Sequence, residues 1–144
     1  KQGVASLAVS AMAVSCGGGY TYTSSARHIQ EIGTPVSLKA YSSLSWCYKK
    51  SAKKVKNWAG ICDGDVTKWG KVNGWSFEGC TRNDFIPYTL NKSYPGGIHH
   101  ATKAHFVNNF TFRAITIDLK MDIWGHYDGT CDHRGGNSTI YHYC

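Results

Sequence analysis

Alternation of apolar and polar side chains is clearest over residues 113–124, where Ile115, Ile117, Leu119, Met121 and Ile123 are interleaved with Thr116, Asp118, Lys120 and Asp122. A period of two puts one set on a buried face and the other in solvent, so this stretch predicts a half-buried β-strand. Phe110 and Phe112 carry the opposite parity, which predicts a bulge or face switch near Arg113. Downstream, Tyr127-Asp128-Gly129-Thr130 has the composition of a hairpin turn, and residues 139–143 predict a last strand.

Residues 36–48 alternate in the same way, with Leu38, Ala40, Leu44 and Trp46 on one side and Ser37, Lys39, Tyr41 and Ser45 on the other. Ser42 interrupts the apolar stripe. Residues 55–61 are expected to return antiparallel to this strand, and residues 75–78 form a further short strand between Gly74 and Gly79. Residues 82–104 contain Pro87, Pro95, Gly96 and Gly97 and read as a long surface connection with a short helical turn at 100–104. Short strands separated by glycine and asparagine predict an all-β fold, a single-domain antiparallel β-sandwich stapled by disulfides.

The N-terminal stretch fits two periods. Leu7, Val9, Ala11 and Ala13 are spaced for a strand, while Val4, Leu7, Ala11 and Val14 are spaced for a helix; the valines, serines and all-β context favour the strand. Its composition is that of the apolar region of a secretory signal, with a basic residue in front. About 12 apolar residues are too few to span a bilayer, so no membrane span is expected. The segment is expected to be retained and buried, against this domain's own sheet or against another chain. Val4, Leu7, Val9, Met12 and Val14 are then its partner-contacting candidates. Gly17-Gly18-Gly19 supplies a flexible joint, dividing an apolar segment at residues 1–19 from a disulfide-bonded β domain at residues 20–144.

Sixteen basic against nine acidic residues give a net charge of +7, which favours anionic surfaces or acidic partners. Much of the excess lies in Lys49, Lys50, Lys53, Lys54 and Lys56, expected at the exposed tip between two strands. Six cysteines, an even number, indicate full pairing in an oxidising compartment, hence a secreted, extracellular protein without a free thiol nucleophile. Spacing leaves the connectivity open; hairpin logic suggests Cys47–Cys62 and Cys131–Cys144, with Cys16–Cys80 remaining.

Candidate chemistry is sparse. Seven histidines, notably His99, His100, His105, His126 and His133, lack the CxxC, HxxxH or HExxH spacing of a zinc site, so no metal or other cofactor is expected. No GxSxG elbow is present, and Asp63, Asp65, Glu78 and Asp84 read as turn residues in preference to a glycosidase pair. No catalytic residue is therefore assigned. Two small-ligand alternatives stand beside this. The lysines with Tyr48 and Trp58 have the basic and aromatic character of a nuclease-like toxin or hydrolase acting on an anionic polymer. Nine tyrosines and five tryptophans admit a carbohydrate-binding module; Trp46 and Trp75 have core parity, so Trp69 and Trp124 are the candidates for an exposed platform. Sequons occur at Asn91, Asn109 and Asn137.

One succession of residues carries a resemblance. Leu44-Ser45-Trp46-Cys47-Tyr48, a basic turn, Gly74-Trp75-Ser76-Phe77-Glu78-Gly79, Lys103-Ala104-His105-Phe106 and Asp128-Gly129-Thr130 together resemble small secreted actinobacterial β proteins, over residues 35–132. Members of this kind look like the adaptor subunit of Streptomyces umbrella toxin particles, which joins a lectin subunit to a toxin-bearing subunit. The resemblance implies a non-catalytic binding or assembly subunit, with other protein subunits as partners and the apolar N-terminus donated to one of them. A strand rich in Val, Leu and Ala can complete a partner's open sheet by meeting its edge hydrogen bonds.

Overall fold

The computed structural model describes residues 15–23, 26–89, 96–110, 115–136, 140–142 and 144. Val4, Leu7, Val9, Met12 and Val14 lie outside them, as do the proposed bulge at Arg113, the sequons at Asn91 and Asn137, and residues 139 and 143 of the expected last strand, of which Tyr141 makes an isolated bridge to His133.

Among the described residues, eight strands and one short helix follow in order: β1 (Thr21–Tyr22), β2 (Ala26–Ile32), β3 (Leu38–Lys49), β4 (Lys54–Val66), α1 (Lys68–Val72), β5 (Trp75–Tyr88), β6 (Gly97–Asn108), β7 (Ile115–His126) and β8 (Cys131–Gly135). They form two antiparallel sheets. In the first, β3 pairs with β1 and β2 along one edge and with β4 along the other; the second runs β5-β6-β7-β8. The sheets stack face to face, so the all-β sandwich expected from the alternation is the architecture found. Among the described residues no helix is long and apolar enough to cross a membrane.

The inward side chains of β3, β6 and β7 build two apolar clusters. Leu38, Ala40, Val66, Ala104, Phe106, Leu119 and Met121 form one; Ala26, Leu44, Trp46, Ile98, Ile123 and Cys131 form the other. Ser42, which broke the stripe in the sequence, lies on β3 between Ala40 and Leu44, with Ala40 in one cluster and Leu44 in the other. It faces His100, with Ser42 Oγ and His100 Nδ1 3.5 Å apart. His100 is fully buried, Phe85 stacks on it at 4.5 Å, and its Nε2 lies 2.6 Å from Asn83 Oδ1. A polar layer therefore crosses the core, tolerable because its members meet one another.

Three sequence expectations change. Residues 82–104 are not a surface connection: β5 continues to Tyr88 and β6 starts at Gly97, and residues 100–104 are strand. Pro87 lies on β5, an edge strand, the place in a sheet where proline is tolerated because alternate backbone N–H groups point away from the neighbouring strand. Asp63 and Asp65 belong to β4, paired with Tyr41 and Lys39. The helix α1, capped by Thr67 Oγ1 accepting from Gly70 N at 3.1 Å, was not anticipated.

The bridges are Cys16–Cys47, Cys62–Cys80 and Cys131–Cys144, in place of Cys47–Cys62 and Cys16–Cys80. The β3–β4 register explains the correction. Cys62 stands opposite Ser42, five positions from Cys47, about 16 Å along the strand at 3.3 Å per residue. Ser42 has the parity of the inward residues Leu44 and Trp46, and Cys47 the opposite parity. Cys62 instead packs on the first cluster beside Cys80 and joins the two sheets between β4 and β5. An extra residue, Asn57 at φ +49°, breaks the pairing between Trp46 and Cys47; asparagine tolerates that left-handed geometry.

Candidate functional site

The β3–β4 hairpin turns at residues 50–53, with Lys49 opposite Lys54. Lys50, Lys53 and Lys54 are exposed, while Lys49 and Lys56 are half-buried around Tyr20. The Lys56 Nζ sits 4.3 Å and the Lys49 Nζ 5.8 Å from the Tyr20 ring centre, within cation–π range. Among the described residues none of these five lysines pairs with a carboxylate. Their charge is thus left for solvent or a partner. The tip abuts the far end of β5: a cleft of about 390 Å³ is lined by Lys53, Lys54, Val55, Trp58, Pro87 and Tyr88. Gly96 makes this fit, since a Cβ there would lie 2.7 Å from the Lys53 carbonyl oxygen.

From the cleft a chain of polar contacts runs across the outer face of the second sheet. Tyr88 Oη meets His126 Nδ1; His126 Nε2 meets Asp132 Oδ2 at 2.8 Å, and Asp132 Oδ1 meets His142 Nδ1 at 2.8 Å. Trp46 Nε1 donates to the His126 carbonyl oxygen at 3.0 Å. Both ring nitrogens of His126 are engaged and the residue is 4 % exposed, so its imidazole faces no substrate space. It holds β5, β7, β8 and the C-terminal residues together.

A second cluster lies beside it. His99 Nε2 is 2.8 Å from Asp122 Oδ1, and Arg134 Nε stands 3.5 Å from Asp122 Oδ2, near enough for ion pairing though not aligned for a hydrogen bond. Burial pushes the Asp122 carboxyl up, but the hydrogen bond and charge of His99, followed by Arg134, more than offset this and hold it below the ordinary range. Trp124 is sandwiched here, stacked on His99 at 4.8 Å and covered by the Arg134 guanidinium at 5.2 Å. The expectation of an exposed platform at Trp124 is therefore corrected: its cross-strand neighbour covers it. Trp69, on α1, is 50 % exposed.

The acidic residues considered as a hydrolase pair do not converge. Asp63 Oδ1 accepts from Gly64 N, Asp65 Oδ1 from Val66 N, Glu78 Oε2 from Ser76 Oγ, and Asp84 pairs with Arg82 at 2.8 Å. Each is used within two residues of itself. Among the described residues no group of three His, Cys, Asp or Glu side chains is arranged to hold a metal ion. A depression of about 820 Å³ lies where β2 faces β8 and the C-terminal residues, and includes Arg27, His28, Ile29, His133, Ile140 and Tyr141.

Comparison of the chain with protein-family models, curated proteins and solved structures finds no match to any of them.

The lysine tip was legible in sequence because five basic residues fall within eight positions. His126 and Asp132, six residues apart, meet across the Tyr127–Thr130 turn, but the contact His28–His133 was not legible, because sheet stacking, invisible to local spacing, brings those residues together.

Proposed function

We propose that this protein is a secreted, non-catalytic binding or assembly subunit that meets an anionic partner surface with its β3–β4 tip. The observation that carries the reading is the set of five lysines without carboxylate partners, flanked by Tyr20 and by the cleft at Trp58 and Tyr88. The exposed, unpaired charge of Lys50, Lys53 and Lys54 at the end of a hairpin speeds and orients encounter with a surface of opposite sign. Three disulfides support the extracellular setting. The adaptor role implied by the resemblance is the form this binding takes in our reading, with the N-terminal segment as a second contact.

Binding to immobilised poly-L-glutamate tests the tip. Attachment is expected at low ionic strength, with steep loss as salt shortens the screening length, and the triple variant K50E, K53E and K54E is expected to detach without loss of fold. Equal retention of the variant would refute the assignment. Deleting residues 1–15 tests the second contact: assembly with a partner subunit is expected to fail while the domain still folds.

A hydrolase acting on an anionic polymer is the second reading, favoured by one observation: Tyr88 both lines the lysine cleft and contacts His126, itself paired with Asp132. Cleavage of single-stranded RNA by the wild type, abolished in His126→Gln, would replace the binding reading. Internal use of both His126 nitrogens weighs against it.

A further inference from the structure

His28 on β2 and His133 on β8 face each other across the open edge between the two sheets, with their Nδ1 atoms 2.8 Å apart and their rings tilted by 59°. His28 Nε2 lies 3.0 Å from Gln30 Oε1. A carboxamide oxygen only accepts, so Nε2 carries the His28 proton and Nδ1 presents a bare lone pair. The hydrogen bond between the rings then uses the Nδ1 proton of His133. This is the arrangement by which metal-ligating histidines are prepared: the distal N–H is held by an oxygen acceptor, and the proximal nitrogen is free to bind. His28 is 6 % exposed, and the pair opens onto the 820 Å³ groove.

We propose that the Nδ1 atoms of His28 and His133 form a two-nitrogen site for a divalent copper ion, which takes the place of the proton shared between them. The spacing that the hydrogen bond sets also suits a tetragonal ion. Two metal–nitrogen bonds of about 2.0 Å at a right angle place the nitrogens about 2.8 Å apart, whereas a tetrahedral angle needs about 3.3 Å. The observed 2.8 Å matches adjacent corners of a tetragonal Cu²⁺ ion, once each ring turns so that the lone pairs converge on the ion. On binding, the His133 proton moves to its own Nε2, leaving two neutral imidazole ligands. The remaining positions are taken by water from the groove. Imidazole pairs favour Cu²⁺ over Zn²⁺ on intrinsic affinity as well.

The probe is CuCl₂ added to the full chain in a non-coordinating buffer, followed by calorimetry and electron paramagnetic resonance. The expected result is one Cu²⁺ per chain, a tetragonal spectrum with hyperfine structure from two nitrogens, and Zn²⁺ binding at least tenfold weaker. His133→Gln and, independently, His28→Gln should each lower Cu²⁺ affinity at least tenfold, while His105→Gln, at a histidine paired with Asp118 elsewhere on the surface, should leave it unchanged. In the unaltered protein, paramagnetic broadening should centre on the His28 and His133 resonances, a readout that does not depend on any variant folding. Broadening centred elsewhere, absence of 1:1 binding, or equal losses in His105→Gln would overturn the site.

Discussion

Lowering the pH from 7.5 to 5 probes the polar layer through His100. Burial without a carboxylate partner disfavours its charged form and pulls it down from 6.5 to about 4, against a smaller opposing contribution from its hydrogen bond with the Ser43 backbone. The unfolded chain therefore takes up a proton below pH 6.5 that the folded chain refuses until about pH 4. Stability is full above pH 6.5, falls through that window and levels off below it. From the two values the loss is about 2 kcal/mol by pH 5 and about 3 kcal/mol by pH 4. The assay is guanidinium unfolding with disulfides intact, at both pH values, for the wild type and for His100→Gln, which keeps a donor for Asn83 Oδ1 but cannot titrate. The variant is expected to be less stable at pH 7.5, and its deficit should shrink by about 2 kcal/mol at pH 5. His28, also lowered chiefly by burial, contributes acid sensitivity of the same sign in both proteins and cancels in the difference. A deficit that stays constant between the two pH values, or a His100 ring resonance that titrates near pH 6.5, would refute the argument.

Three further outcomes follow from packing and covalent structure. Replacing Cys62 and Cys80 together by alanine opens a loop of sequence separation 18 and should lower stability by about 3 kcal/mol in denaturant melts; peptide mapping of the wild type should recover Cys62 joined to Cys80. Gly125→Ala places a Cβ 2.6 Å from the Trp46 indole, and overpacking of this kind should cost about 1–3 kcal/mol with a matching fall in Tm. Trp69→Ala, at an exposed position on α1, should change stability by no more than about 0.5 kcal/mol, so any larger loss of binding in that variant reports a contact.

Period-two alternation located β3 and β7 because each buries one apolar face, and local composition located the lysine tip and the Asp128-Gly129 turn. These are properties of short stretches. The β5–β6 hairpin stayed hidden because His100 and Thr102 place polar side chains on the inward face of β6 among Ile98, Ala104 and Phe106, where only tertiary partners such as Asn83 and the Met121 carbonyl satisfy them. Asp122 is a case of the same kind. Its parity assigns it to solvent, yet His99 and Arg134 cover it and leave the residue 7 % exposed.

By itself the sequence determined the fold class, the oxidised cysteines and the cationic tip, since alternation, even cysteine count and charge clustering act over a few residues. Tertiary structure alone decided that Cys16 meets Cys47 and Cys62 meets Cys80, that Trp124 is covered, and that His28 finds His133. Each of those depends on strand register and on which edges of two stacked sheets come together, and a one-position slip in register would send every side chain of a strand to the other face.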